Sequence, residues 1–150
     1  MKKKLIYFLI LLVAGIIIGR KISLATENIQ ITFNEESTYY FLQEGVYSSK
    51  KILEENIKNM NLKVVETVDN KYHVYLGITK DENIAKRLKE IYEEQGYQIY
   101  IKEITLSNEE FNNNVTQFDL LINNTESTKE ILTIEEVVLA NYEEIIQKGN

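Results

Sequence analysis

The chain repeats one pattern of apolar and polar residues, in which a strand, a glycine, a helix and a second strand follow one another. The first unit contains Gly45 and the second, 32 residues later, contains Gly77. Alternation with a period of two predicts the strands, and apolar stripes at helical spacing predict the helices. The predicted elements are, in chain order, a strand at 39–46, a helix at 49–60, strands at 62–68 and 71–78, a helix beginning after Asp81 and ending at Gly96, and a strand at 97–104.

The order of these elements is strand–helix–strand twice, or βαββαβ. Such an order predicts an α+β fold of the RNP-like, split-βαβ kind, with a four-stranded antiparallel sheet. We expect both helices to cover one face of the sheet and the other face to stay open, as antiparallel sheets tolerate. Asp69 and Asn70 have the composition of a turn between the second and third strands.

Two further helices are predicted beyond the repeat, in a C-terminal helical extension at 105–150. Ser107 with Glu110, and Ser127 with Glu130, have the spacing of capping boxes, and an apolar stripe follows each pair. We expect two helices within 107–148, joined near 123–127. Their apolar stripes need a partner, either each other and the sheet or, as the alternative, a second protein such as a division or sporulation protein.

The N-terminal residues have the pattern of a membrane anchor. A cluster of three lysines precedes an uncharged apolar run at 5–19, and Arg20 and Lys21 follow it. We interpret 1–25 as an uncleaved transmembrane helix with its N-terminus in the cytoplasm, because the basic residues are more numerous before the run. The alternative is a signal peptide cleaved after Ala25. The polar stretch 26–38 is interpreted as a linker to the exported domain.

Charge argues against one class of partner. The chain has 17 basic and 23 acidic residues, and five of the basic residues lie within 1–21. The remaining 12 basic and 23 acidic residues give the predicted exported part a net charge of -11. Because nucleic-acid affinity comes mainly from lysine and arginine neutralising phosphates, we expect no nucleic-acid partner.

Catalytic motifs are missing from the sequence. The chain contains no cysteine and a single histidine, His73, and it contains no GxSxG, phosphate-binding glycine loop or HExxH motif. Without cysteine there is no disulfide, thiolate nucleophile or zinc–thiolate site. We therefore expect a protein that is not an enzyme and that uses no catalytic residue, metal or cofactor.

The open face of the predicted sheet is the candidate binding site. If Leu42 and Val46 point towards the helices, strict alternation along the strands places a patch of aromatic and amide side chains, with Lys102 beside it, on the other face. Aromatic rings with polar groups suit sugars, which have an apolar face and hydroxyl edges. The alternative is that these are ordinary strand-forming residues on a solvated face. The candidate ligand-binding residues are Phe41, Gln43, Gly45, His73, Tyr75 and Tyr100.

Two segments resemble a known family, the SPOR domain. FLQEGVYSS, followed by a helix, is similar to that family's strand-to-helix signature, and YHVYLGI is similar to its Tyr-x-Val-x-x-Gly strand. The resemblance covers 39–104 and matches the family's glutamine to Gln43, its glycines to Gly45 and Gly77, and its aromatic position to Tyr47. Many members have basic residues at the positions of His73 and Tyr75, where this chain departs from the family.

The resemblance implies an RNP-like fold and a function. The family is anchored in the membrane and binds septal peptidoglycan, preferring glycan strands that lack stem peptides. We therefore expect a non-enzymatic, single-pass membrane protein that binds peptidoglycan glycan strands in bacterial cell division or sporulation. One alternative is a structural or assembly protein whose C-terminal helices bind a partner while the sheet face is inert. Another is an RNA-type binder that stacks bases on the sheet, which the acidic charge opposes.

Overall fold

The computed structural model describes residues 36–149, which form an α+β fold with a four-stranded antiparallel sheet and four helices. The strand order across the sheet is β2-β3-β1-β4, and every neighbouring pair is antiparallel. The sheet and the C-terminal helices belong to one compact unit. The elements are β1 (Ser37–Tyr47), α1 (Lys50–Ile57), β2 (Val64–Val68), β3 (Lys71–Thr79), α2 (Glu82–Glu94), β4 (Tyr100–Leu106), α3 (Glu109–Asn123) and α4 (Thr128–Lys148).

The order of the elements is as predicted, but the ends of several elements differ, most clearly in β1 and β4. β1 begins inside the predicted linker, because Ser37 pairs with Leu106 on β4. β4 begins at Tyr100, not at 97. The cause is the end of α2, where Gly96 has a φ of 92° and Tyr97 N–H donates to the Tyr92 carbonyl at 3.1 Å. That turn keeps the first predicted residue of the strand in the helix terminus.

The helix caps are confirmed at two of three predicted positions. The Asp81 carboxylate accepts from the backbone of Asn83 at 2.7 Å, and Ser127 caps α4 through Glu130 N–H at 3.4 Å. At α3 the cap is Asn108 and not Ser107, because the amide oxygen of Asn108 accepts from the third helical residue, Phe111, at 2.9 Å. The prediction of two C-terminal helices joined near 123–127 is confirmed.

The expectation of an open sheet face is wrong for the described residues. One face is covered by α2, whose Leu88 approaches Leu42 beside Gly77. The C-terminal helices cover the other face with an aromatic cluster. Phe111 lies 5.3 Å from Tyr39 between ring centroids, and Tyr142 lies 5.0 Å from Phe41. All four rings are at most 2% exposed.

Apolar burial holds the C-terminal helices in place. Their stripes need a surface that excludes water, and the second sheet face provides it. Each fully buried large aliphatic or aromatic side chain stabilises the fold by about 1.5–3 kcal/mol. Besides the aromatic cluster, the apolar side chains at most 4% exposed on α3 and α4 are Val115, Phe118, Ile122, Ile131, Ile134, Val138 and Leu139. The C-terminal helices therefore pack on the sheet, as one of the two predicted alternatives stated.

Two buried carboxyl groups join these helices to the end of β3. Ile78 N–H donates to Glu135 Oε2 of α4 at 2.9 Å. Asp119 of α3 accepts from the Thr79 hydroxyl at 2.7 Å and from Lys80 N–H at 2.9 Å. Backbone groups that leave the sheet ladder are thus satisfied by side chains, as buried polar groups require.

The pKa values of both carboxyl groups are raised. Burial raises the pKa of Glu135 to about 8, the hydrogen bond from Ile78 opposes the shift, and the charge of Asp119 adds to it. Burial likewise raises the pKa of Asp119 to about 6. Glu135 Oε1 has no hydrogen-bond partner within the described part of the chain. A proton on Glu135 therefore stabilises the contact between α4 and β3.

The predicted membrane anchor at 1–25, and the cleavage site that is its alternative, lie outside the described residues. Within 36–149, no helix combines the length and the apolar character that crossing a bilayer requires.

We expect the free energy of unfolding to fall by about 2 kcal/mol between pH 6 and pH 8, because folded Glu135 keeps a proton that the unfolded chain has released. The raised pKa means that this stabilisation is present below about pH 4.5 and is lost as the pH rises through about 8. Glu135→Gln should flatten the decline, since the amide cannot ionise. Urea unfolding of the full chain at several pH values measures this fall in the free energy of unfolding.

The control is Glu136→Gln, which removes the neighbouring exposed carboxylate and should leave the decline unchanged. Any contribution from His73 is common to the parent and both variants. An equal slope in the parent and in Glu135→Gln would show that Glu135 is ionised in the folded state throughout this range.

Candidate functional site

The pairing of β1 with β3 shifts register on both sides of Gln43, and the shift after Gln43 determines which side chains the candidate site contains. Gln43 stands opposite Tyr75, and Gly45 stands opposite Val74, so Glu44 is an extra residue on β1. Since Tyr75 and Val74 are consecutive in a strand, their side chains point to opposite faces. Gln43 and Gly45 therefore also face opposite ways. Gly45 does not belong to the candidate patch, and the strict alternation assumed from sequence is wrong because of this bulge.

Gly45 leaves room for a neighbouring side chain. A Cβ at this position would lie 2.9 Å from the Tyr47 hydroxyl oxygen and 3.0 Å from its ring carbons. The ring is held there because its hydroxyl donates to the Glu44 carboxylate at 2.8 Å. Burial, followed by the hydrogen bond and the charge of Glu44, raises the pKa of Tyr47 to about 12. The space beside Gly45 is thus filled by Tyr47.

Phe41 and Tyr75 are on the predicted face but are buried. They are 0% and 1% exposed, and their rings meet edge to face at 4.9 Å between centroids. Tyr142 of α4 packs on Phe41 from above the sheet. Burial, and then the charge of Glu66, raises the pKa of Tyr75 to about 12. In this arrangement neither ring can touch a ligand, because the helical extension lies over both.

Three of the six candidates remain accessible together. Tyr100 stands directly opposite Gln43 on β4, so the two side chains share a face, and Tyr100 is 55% exposed. His73 Nδ1 lies 3.2 Å from Gln43 Oε1, and both residues are half-buried. All three lie near one end of the sheet, where β1 ends and β3 and β4 begin.

Val46 is a member of this group that the sequence reasoning missed. After the bulge it stands opposite His73, and it is 42% exposed, although alternation had directed it towards the helices. A bulge leaves no periodic signal, and only the interruption Gln43–Gly45 in an apolar strand pointed to it. We name the accessible group the end patch and define it as Gln43, Val46, His73 and Tyr100.

Electrostatics favour a neutral imidazole in the end patch. Burial lowers the pKa of His73, the positive charge of Lys102 lowers it further, and the negative charge of Glu66 opposes both. A neutral ring carries one N–H, and Gln43 Oε1 can only accept, so the proton is on Nδ1. Nε2 is then an acceptor, and the Gln43 amide keeps its N–H donors. The end patch thus offers a donor, an acceptor and the exposed ring of Tyr100.

A second concavity lies at the opposite end of β3. This cleft of about 470 Å³ between α2 and α3 is lined by Lys80, Asp81, Thr116 and Asp119, among others. Both carboxylate oxygens of Asp119 already accept hydrogen bonds from β3 and the residue that follows it. No group of three or more histidine, aspartate or glutamate side chains that could hold a metal ion occurs within 36–149. The end patch is therefore the stronger candidate.

No protein-family model matches this chain, and no curated protein or solved structure matches it either.

We expect Phe41→Ala to destabilise the protein by about 3–5 kcal/mol, because it empties a fully buried ring position beneath α4. Tyr75→Ala should behave similarly, because this ring is 1% exposed. Gln43→Ala should cost about 1 kcal/mol or less, since the hydrogen bond to His73 is half-exposed. Urea unfolding of the three variants tests the order of these losses of stability. Similar losses in all three would mean that α4 does not seal this face.

Proposed function

We propose that this chain is a non-enzymatic, membrane-anchored protein that binds peptidoglycan glycan strands through the end patch, in bacterial cell division or sporulation. The observation that carries the proposal is the pairing of an exposed ring, Tyr100, with the amide of Gln43 directly opposite it. The preferred ligand is a glycan strand without stem peptides, as in the SPOR family that the sequence resembles.

The fold supports this proposal. The strand order β2-β3-β1-β4, with the chain order βαββαβ over the first six elements, agrees with the RNP-like, split-βαβ arrangement. The glutamine that the family resemblance matches, Gln43, is among the candidates that remain accessible. Its position near the end of a central strand brings it within reach of both neighbouring strands.

The chemistry of the end patch suits a sugar. The ring of Tyr100 can cover the apolar face of a pyranose, while Val46 extends the apolar surface. The Gln43 amide can donate to hydroxyl or acetamido oxygens, and His73 Nε2 can accept from a hydroxyl. The rim carries two charges of each sign that act on His73, from Lys102, Lys71, Glu66 and Asp69. Phosphate-rich polymers would need a more basic surface.

The assembly alternative has less support. It required apolar stripes on the C-terminal helices that are free to bind a partner protein. Those stripes are buried against the sheet within the described residues, as Phe118 at 2% and Val138 at 1% exposure illustrate. A partner would have to bind the polar outer faces of α3 and α4. The helical extension is better understood as part of the folded core.

We expect Tyr100→Ala and Gln43→Ala each to weaken binding to amidase-treated sacculi about ten-fold or more, because each removes a group that the ligand would bury. Cosedimentation of the full chain with purified sacculi, with and without amidase treatment, measures the affinity. Untreated sacculi, which retain most stem peptides, should bind more weakly.

The matched control is Leu120→Ala on α3, since Leu120 is 53% exposed and lines the cleft at the opposite end of β3 from the end patch. This variant should bind like the parent. The proposal fails if the parent does not sediment with either preparation. The end patch is the wrong site if the parent binds and all three variants bind equally well.

A further inference from the structure

A single row of side chains crosses the sheet from the end patch to the covered region. Tyr100 on β4 stands opposite Gln43 on β1, and Gln43 stands opposite Tyr75 on β3. With strands about 4.8 Å apart, the three positions span about 10 Å. Tyr100 is exposed and Tyr75 is buried, so α4 divides a continuous row into an accessible and an inaccessible part.

Tyr142 is the α4 side chain that packs on Phe41, the ring that contacts Tyr75 at the inner end of this row. Its ring meets Phe41 edge to face at 5.0 Å and lies 5.7 Å from Phe111. Burial, and then the charge of Glu66 and a hydrogen bond to it, raises the pKa of Tyr142. The ring contacts lie on β1 and α3, and the charges of Glu66 on β2 and of Tyr75 on β3 also act on Tyr142, so this side chain lies on the face that contains Tyr75.

Tyr142 is also the last fully buried residue of α4. Six helical residues follow it, and of these Glu143, Glu144, Gln147 and Lys148 are exposed while 145–146 are half-buried. Towards the N-terminus, by contrast, Glu135 is bonded to β3 and Val138 lies in the core. The end of α4 can therefore unwind locally from Tyr142 onwards, which exposes the rings that Tyr142 covers, while Glu135 and Val138 hold the rest of the helix in place.

We propose that the last two turns of α4, from Tyr142 onwards, are an autoinhibitory cover over the glycan-binding row. With the cover closed, the ligand reaches only the end patch. With the cover open, Phe41 and Tyr75 add two aromatic rings to the surface that binds the strand. This inference rests on the proposed glycan binding and concerns the regulation of that same site.

The equilibrium between the open and the closed cover sets the affinity for glycan strands. When only a fraction of molecules is open, affinity for the extended surface falls by that fraction. Glycan strands must then offset the cost of displacing Tyr142. Removing this ring should raise the affinity for long strands about ten-fold, because the inner rings become accessible without that cost.

The test compares Tyr142→Ala and Tyr142→Leu with the parent full chain in cosedimentation with amidase-treated sacculi, with circular dichroism as the folding check. Both variants should bind about ten-fold more tightly. Tyr142→Phe keeps the ring and should bind like the parent. Val138→Ala is the matched control, since it loosens the same helix from the core but leaves Tyr142 in place. It should also bind like the parent.

The parent itself provides a second measurement that does not depend on any variant folding. In hydrogen exchange, amides at 143–148 should exchange faster than those at 131–139. Equal protection along α4 would overturn the proposal, and so would parent-like or weaker binding by folded Tyr142→Ala and Tyr142→Leu. In those cases binding by the parent would still support the proposed function. Tighter binding by Val138→Ala would mean that general loosening of α4, and not removal of the Tyr142 ring, raises the affinity, which would overturn the proposed cover. If no form of the protein binds the sacculi, both the cover and the proposed function are wrong.

Discussion

The packing of the two C-terminal helices on the second face of the sheet is the contact on which the rest of the structure depends. Phe111 and Tyr142 meet Tyr39 and Phe41, and through these rings two helices gain a surface for their apolar stripes. A sheet of this size with one open face would be a small domain of limited stability. With helices on both faces it has two apolar layers, and the price is that most of one sheet face is unavailable to ligands.

The docking also demands polar compensation. Where β3 ends, its backbone N–H groups would be buried without partners beneath α3 and α4, and Asp119 and Glu135 accept from them. Acidic groups in this position bring their own desolvation cost, which appears as raised pKa values. Arg87 of α2 adds an attachment from the opposite layer by donating to the carbonyls of Ile122 and Thr125 at the end of α3. The helical extension is thus bonded to both the sheet and α2.

Local chemistry made much of the fold predictable, and long-range packing made the rest unpredictable. α2 begins after Asp81 and ends before Gly96, as expected, because caps and positive-φ glycines act within one turn. The apolar stripes of α3 and α4 were visible, but a stripe does not say which surface will cover it. The candidate site was the part predicted least well. Phe41 is buried by that packing, and Gly45 points to the other face because a bulge adds a residue that alters the alternation without altering composition.

The extra residue Glu44 determines which face of the sheet the side chains at the end of β1 point to. Up to Gln43 the odd-numbered side chains of β1 point towards α4, and from Val46 onwards the even-numbered ones do. Removing one residue here would turn the remaining segment by half a rotation, so that Val46 and Tyr47 exchange sides. Composition would be almost unchanged, yet the surface beside His73 would gain a phenol in place of a small aliphatic group. In this strand, residue count determines the surface as much as residue type does.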